Sequence, residues 1–428
     1  MKTFFKIFAN LKLAISLLLL IAFFSAIGSI IDQDKTFDFY TQNYSSLIFN
    51  IPTWVYINFF SLNQVYSSWW FFILLIVFGI CLLSCTFLQQ FPALKFARRY
   101  YFYSYPSQFN KLKFKFIAIK TIKSQACFRL IEENYSIFQN NKGFYSYKGL
   151  VGRIGPVIVH LSIISILVGS IFGALQGFTA QEFVPKSEIF HVQNIVKSGQ
   201  LSKISQQAVR INDFWIDYNK SGLINQFQSD ISILSGKGKE IVRKTISVNS
   251  PLVFNGLTFY QTDWGITGVR LKITDKNIQL PVSKIVKSSQ KLWISWLPLT
   301  LSSKTGVIIF LNTARGNIEL YNENAQFIQN SNIGQSTYIY NLLPINIFEY
   351  IMSTGIQIKS DPGISMIYNG FVFLILSSFV SYVSFSEIWL LKSTESFLVG
   401  GQTNRAKIKF KLEIAKLKKN FTEKKIDI

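Results

Sequence analysis

Histidine occurs only twice in this 428-residue chain, cysteine three times, and acidic residues half as often as basic ones, 22 against 44. Each shortage closes a class of function. Two histidines cannot build a His-rich metal centre within one protomer. There is no P-loop, no Gly-x-Ser-x-Gly elbow, no metal-spaced His/Cys cluster and no haem-attachment Cys-x-x-Cys-His. No catalytic constellation survives inspection. Cys81 and Cys85 lie inside an apolar run, on one helix face, at a spacing unsuited to a local disulfide. Packing is favoured over a redox relay for both. The stretch 178–365 has no cysteine, so it carries no disulfide of its own and cannot act there as a thiol reductant. The acid deficit leaves a net charge of +22, which a soluble nucleic-acid binder would also show. Long uncharged apolar runs exclude that reading, and no nucleic-acid partner is expected.

Those runs are what the chain has in abundance. Residues 11–31, 69–88, 154–177 and 366–390 are apolar over lengths that suit bilayer-spanning helices, the last interrupted by Glu387. Residues 1–12 carry +3, the basic segment 89–153 carries +10 and the tail 391–428 carries +6, whereas the short loop 32–68 carries −2. The positive-inside rule puts the basic segments and both termini on one side. The long segment 178–365 then falls on the other, and its own +6 is no obstacle because long domains cross largely regardless of charge. A retained anchor is expected at the N-terminus, since Ala26-Ile27-Gly28-Ser29 is a poor cleavage site. The expected fold is an integral membrane protein: four transmembrane α-helices with a large, all-β-rich extramembrane domain between helices 3 and 4.

In chain order, the 32–68 loop is dense in Tyr and Trp, as membrane interfaces are, and Trp69 and Trp70 stand where the second helix re-enters. They read as an interfacial belt, with a stacking platform for a flat aromatic ligand as the sharper alternative. Pro92 is expected to end that helix, and residues 107–147 to form strands or a small subdomain. Within 178–365, a hairpin is expected around Ser235–Lys239, and another at Asn255-Gly256, leading towards a sandwich or open barrel. In the tail, Phe410, Ile414, Leu417 and Phe421 recur at helical spacing among lysines, which suits a helix on an anionic leaflet or on a partner.

The third apolar segment organises the rest. Lys148, Gly149, Gly152 and Arg153 lead into Gly155-Pro156, with the proline in the first turn. His160 follows about seven residues into the helix, roughly 10 Å inside the positive face. An ionisable side chain at that depth is functional by default. Neutral imidazole is a good axial ligand for haem iron, and a pocket between helices suits an amphipathic porphyrin. The competing readings are a histidine hydrogen-bonded between helices and a proton relay. One intramembrane histidine per chain implies that a second axial ligand comes from another protein. His191 reads as an exposed or hydrogen-bonded histidine with no second ligand nearby.

Several stretches, in order, resemble the ResB/CcsB family of system II cytochrome c biogenesis proteins, in its plastid and cyanobacterial form. They are LKLAISLLLLIAFFSAIGSIIDQD, VYSSWW, CTFLQQFPALKFARR, GRIGPVIVHLSIISILVGS, NDFWIDY, RKTISVNSPL, YQTDWGI, KSDPG and SYVSFSEIW, covering most of residues 10–390. The resemblance implies a membrane assembly factor acting at the haem delivery or attachment step, at most as part of a holocytochrome c synthase complex. It implies haem b as cargo and CcsA as partner. It also implies apocytochromes c, such as cytochrome f, as clients, and a thylakoid location with the large domain lumenal and the basic segments stromal. A cyanobacterial thylakoid or plasma membrane is the second choice. His160 matches the family's intramembrane histidine, and Asp361 its acidic residue near the outer surface. Phe385 stands where the family commonly has histidine, and the tail beyond 391 lies outside the resemblance. The alternative is a scaffold for the haem-handling partner with no haem ligand of its own.

Overall fold

The computed structural model describes residues 2–48, 51–119, 123–220, 224–287, 290–299, 305–311, 317–339, 343–393 and 396–422. These fall into two compact units: residues 1–174 with 363–428, and residues 175–362.

Among the described residues, the first unit holds four helices long and apolar enough to cross a membrane: α1 (Leu11–Ile30), α2 (Trp69–Ala97), α3 (Val151–Gln176) and α4 (Ile364–Ser381). Large apolar side chains face outward along them, Leu19 65% and Phe379 71% exposed. Such surfaces are costly in water and ordinary in lipid, so the chain is a membrane protein. Asn10 caps α1 by accepting from the Lys12 amide at 3.0 Å. Pro92 does not end α2 as expected. A wider π-turn, Thr86–Gln90, precedes it, and helix resumes over Phe91–Ala97 with the proline in its first turn, where no amide hydrogen is missed. Helix α3 starts at Val151, so Pro156 lies inside it rather than at its start.

The fourth helix is shorter than the apolar run 366–390. It stops at Ser381, and Ser386–Lys392 is a strand. Ile388 and Leu390 join one core while Trp389 and Leu391 join another. A strand buried on both faces reads as a continuous apolar run, which is why its length resembled helix. Its one acid, Glu387, accepts from the Tyr145 hydroxyl at 2.8 Å and from Gln402. Burial, then the Glu387 carboxylate, pushes the Tyr145 phenol up, so it remains a donor.

That strand is central in an antiparallel sheet ordered Phe114–Ile119, Ser396–Thr403, Ser386–Lys392, Gly143–Lys148, Ser136–Gln139. The basic segment and the tail therefore build one domain, not two. The helix Lys407–Thr422 lays Phe410, Ile414, Leu417 and Phe421 into this sheet's core, beside the helix Lys123–Glu132. Its apolar face is covered by its own chain instead of a leaflet or a partner. The last residues of the tail, 423–428, lie outside the described residues.

Among its described residues from Phe178 on, the second unit is all-β and antiparallel. Two long strands, Leu257–Ile273 and Leu343–Ser360, pair from Leu257↔Ser360 to Ile273↔Ile345. They form the spine of a seven-stranded sheet. One end of the spine buries Phe259, Ile356 and Ile358 with Val209 and Ile231 of a four-stranded sheet. The other end buries Val269 and Ile345 with Trp293 and Ile309 of a five-stranded sheet. The outcome is a sandwich with two cores, not a barrel. Both expected hairpins are present: Ile233 pairs Val242 around Ser235–Lys239, and Phe254 pairs Leu257 around Asn255 and Gly256, whose φ values are 47° and 77°. Positive φ at both positions is what a two-residue hairpin turn requires.

Candidate functional site

Helix α3 has two unlike faces. On one, Gly152 and Gly155 meet the turn that follows α4. A Cβ at Gly152 would lie 1.9 Å from the Val383 carbonyl oxygen, and one at Gly155 would lie 2.6 Å from Ser381 Cα. Further along, Gly169 and Gly363 bring α3 and α4 together in the same way. Small residues permit this closeness, and packing is what holds helices together in lipid.

The other face carries His160, nine residues beyond Val151 and about 13.5 Å along the helix axis. The side chain is half-buried, and its Nδ1 lies 2.9 Å from Oγ1 of Thr86. Thr86 is 1% exposed and its hydroxyl donates to the Leu82 carbonyl at 2.8 Å. A hydroxyl has one hydrogen, and this one is committed to Leu82. The bond to His160 therefore runs from Nδ1–H to the threonine oxygen. In the neutral ring this leaves the lone pair on Nε2, where a metal or a proton is taken up. Thr86 belongs to the π-turn of α2, and π-turns often mark functional positions.

The other residues singled out from the sequence lie elsewhere. Trp69 and Trp70 open α2, seventeen residues before Thr86, so about 25 Å from the His160 level. Trp69 is 73% exposed, and Trp70 packs on Phe24 at 4.8 Å and on Phe71 at 5.9 Å. Cys81 is fully buried, one turn before Cys85, which donates to Gln89. Asp361 follows the long strand Leu343–Ser360; its Oδ2 lies 3.6 Å from Lys359 Nζ, while its buried Oδ1 has no partner among the described residues. His191 is exposed beside Gln193. Phe385 is 2% exposed, with the Arg153 guanidinium over its ring at 5.0 Å.

Sequence reasoning missed Thr86. A threonine in an apolar helix just ahead of a proline was the available signal, but its partner stands seventy-four residues away.

The sequence pattern of the ResB-like family matches residues 11–305 and 309–415. The chain belongs to this family. Curated relatives run the full length: it is 46% identical over 430 residues to cytochrome c biogenesis protein Ccs1 of Heterosigma akashiwo, covering 98% of this chain and 100% of the relative. It is 46% identical to Ccs1 of Phaeodactylum tricornutum, over 96% of this chain and 98% of the relative. With cytochrome c biogenesis protein CcsB of a Picosynechococcus strain it shares 40%, over 97% and 91%. The ResB-like match runs to residue 415, so the likeness does extend past 391 into the helix that completes the small domain.

Proposed function

We propose that this ResB-like chain is a membrane assembly factor that carries haem b, as cargo, in the biogenesis of c-type cytochromes, with His160 as an axial ligand. As a family member matched over nearly all of its residues, the chain takes part in c-type cytochrome biogenesis. The observation carrying the haem assignment is the fixed imidazole: Thr86 occupies Nδ1 and leaves Nε2 as the basic nitrogen. The residues fit the group, since a neutral, oriented imidazole between apolar helices is a favourable iron ligand. This chain's part is to hold the ring in one tautomer and to keep bulk water from it. The second axial ligand would come from a multi-helix partner, CcsA in the family, and the clients are apocytochromes c such as cytochrome f. The charge pattern supports an orientation with the small basic domain on the inner side and the β-rich unit on the outer, and the algal and cyanobacterial relatives support a thylakoid, which makes these sides stromal and lumenal. Asp361 would then lie near the lumenal surface, and Trp69 and Trp70 in the lumenal interfacial belt.

The test is the absorption spectrum and haem stain of the purified protein, co-expressed with CcsA, as wild type and His160→Ala. Haem retained by the wild type and lost from the variant, at equal protein and partner levels, supports ligation by His160. Equal haem in both would reduce this chain to a scaffold for the partner.

A further inference from the structure

Arg153 stands seven residues before His160 on α3, two turns less about 20°, so both side chains leave the same face of the helix about 10.5 Å apart along its axis. Gly152 and Gly155, which press on the turn after α4, occupy a different face. The Arg153 side chain is only half satisfied. Its guanidinium lies over the Phe385 ring at 5.0 Å, yet its buried Nε has no hydrogen-bond partner among the described residues. A cation–π contact orients a guanidinium without consuming its N–H donors. A buried donor left in that condition costs free energy that an anionic acceptor would recover.

From this geometry we infer that Arg153 binds the carboxylate edge of the same macrocycle whose iron His160 ligates. The inference rests on the His160 reading above. A macrocycle held at His160 would sit beside the α3 face that Arg153 shares, two turns from a guanidinium at the positive end of the helix, where carboxylate charge is least costly. Arginine suits this task because its planar fork takes a carboxylate with two donors while its face stays stacked on an aromatic ring. Phe385 is accordingly the stacking platform that holds the fork, a use for an aromatic side chain at that position.

The experiment titrates the full-length purified protein with haem b and, separately, with its dimethyl ester, which has the same iron and ring but no carboxylate charge. Wild type, Arg153→Gln, Arg153→Lys and His160→Ala are compared after each shows wild-type elution on size exclusion. Wild type should prefer haem b by about tenfold or more, the effect of one charge-assisted bond. Arg153→Gln should bind haem b no better than the ester, with ester affinity and the ligated spectrum unchanged. Arg153→Lys should restore part of the preference, having the charge without the fork. A preference undiminished in Arg153→Gln overturns this inference while leaving His160 as ligand. A wild-type spectrum in His160→Ala overturns the ligand reading, and the Arg153 assignment with it.

Discussion

The two faces of α3 make opposite use of the same helix. One has been stripped of side chains, so that backbone meets backbone at Val383 and Ser381. The other keeps two ionisable groups, His160 at membrane depth and held by Thr86, Arg153 at the start of the helix with a donor unspent. The glycine face fixes where the helix lies and tolerates nothing added. The histidine face is held by few contacts and has capacity left over. On the proposed reading, stability and recognition are divided between faces of one element, and substitutions should separate them.

Gly152→Leu should have the largest effect. Its Cβ collides with a main-chain carbonyl, that of Val383 in the turn after α4, so a cost above about 3 kcal/mol is expected, at the upper end for overpacking. The readout is loss of the monodisperse peak in detergent, with haem binding lost only as a consequence. Leu417→Ala, in the small domain, should cost about 2–5 kcal/mol because the side chain is 1% exposed. Faster tryptic cleavage of the tail, with α1–α4 still protected, would show it. Thr86→Val should reverse the pattern: near-normal elution but haem affinity down about tenfold or more, because the shell that orients His160 is gone. Thr86→Ser should recover it. If Thr86→Val binds normally, the division between faces fails.

The smallest effect is a pH dependence in the β-rich unit. Hydrogen bonds from Arg243 hold the Asp230 carboxyl below its usual range, against the opposing effect of burial. A depressed folded pKa gives stability that is complete above the unfolded value of about 3.9 and lost as pH falls through the folded one. Arg243 is largely exposed, which keeps the contribution modest. The gap in unfolding temperature between wild type and Asp230→Asn should be present at neutral pH and close on acidification below that range.

What the sequence reveals depends on whether a pattern is local. Length and apolarity announce four spanning helices, and Asn255-Gly256 between apolar runs announces its hairpin. The end of α4 is hidden because Ile388, Trp389, Leu390 and Leu391 are buried on both sides of a strand. Pro92 and Pro156 mislead because a π-turn accommodates the first, and the second sits well inside a helix that begins at Val151. The tail helix declares an apolar face but not what covers it. For the site, His160 was legible by its rarity at membrane depth, whereas Thr86 and the orphan donor of Arg153 depend on contacts between distant segments.

The small sheet has a bearing on how the chain is made. Its strand Gly143–Lys148 waits on Ser386–Lys392, and Phe116 and Phe144 stay uncovered until Lys407–Thr422 is present. More than two hundred residues, including α3, all of the β-rich unit and α4, leave the ribosome between those partners. The domain therefore cannot close during synthesis of its first half, since contacts of such separation form late. A chain cut short before residue 386 would display an open sheet edge and bare aromatic rings. That surface is what proteases and chaperones recognise, and it is covered only once synthesis has passed Lys407–Thr422 and the chain after α4 has come back to the strand that precedes α3.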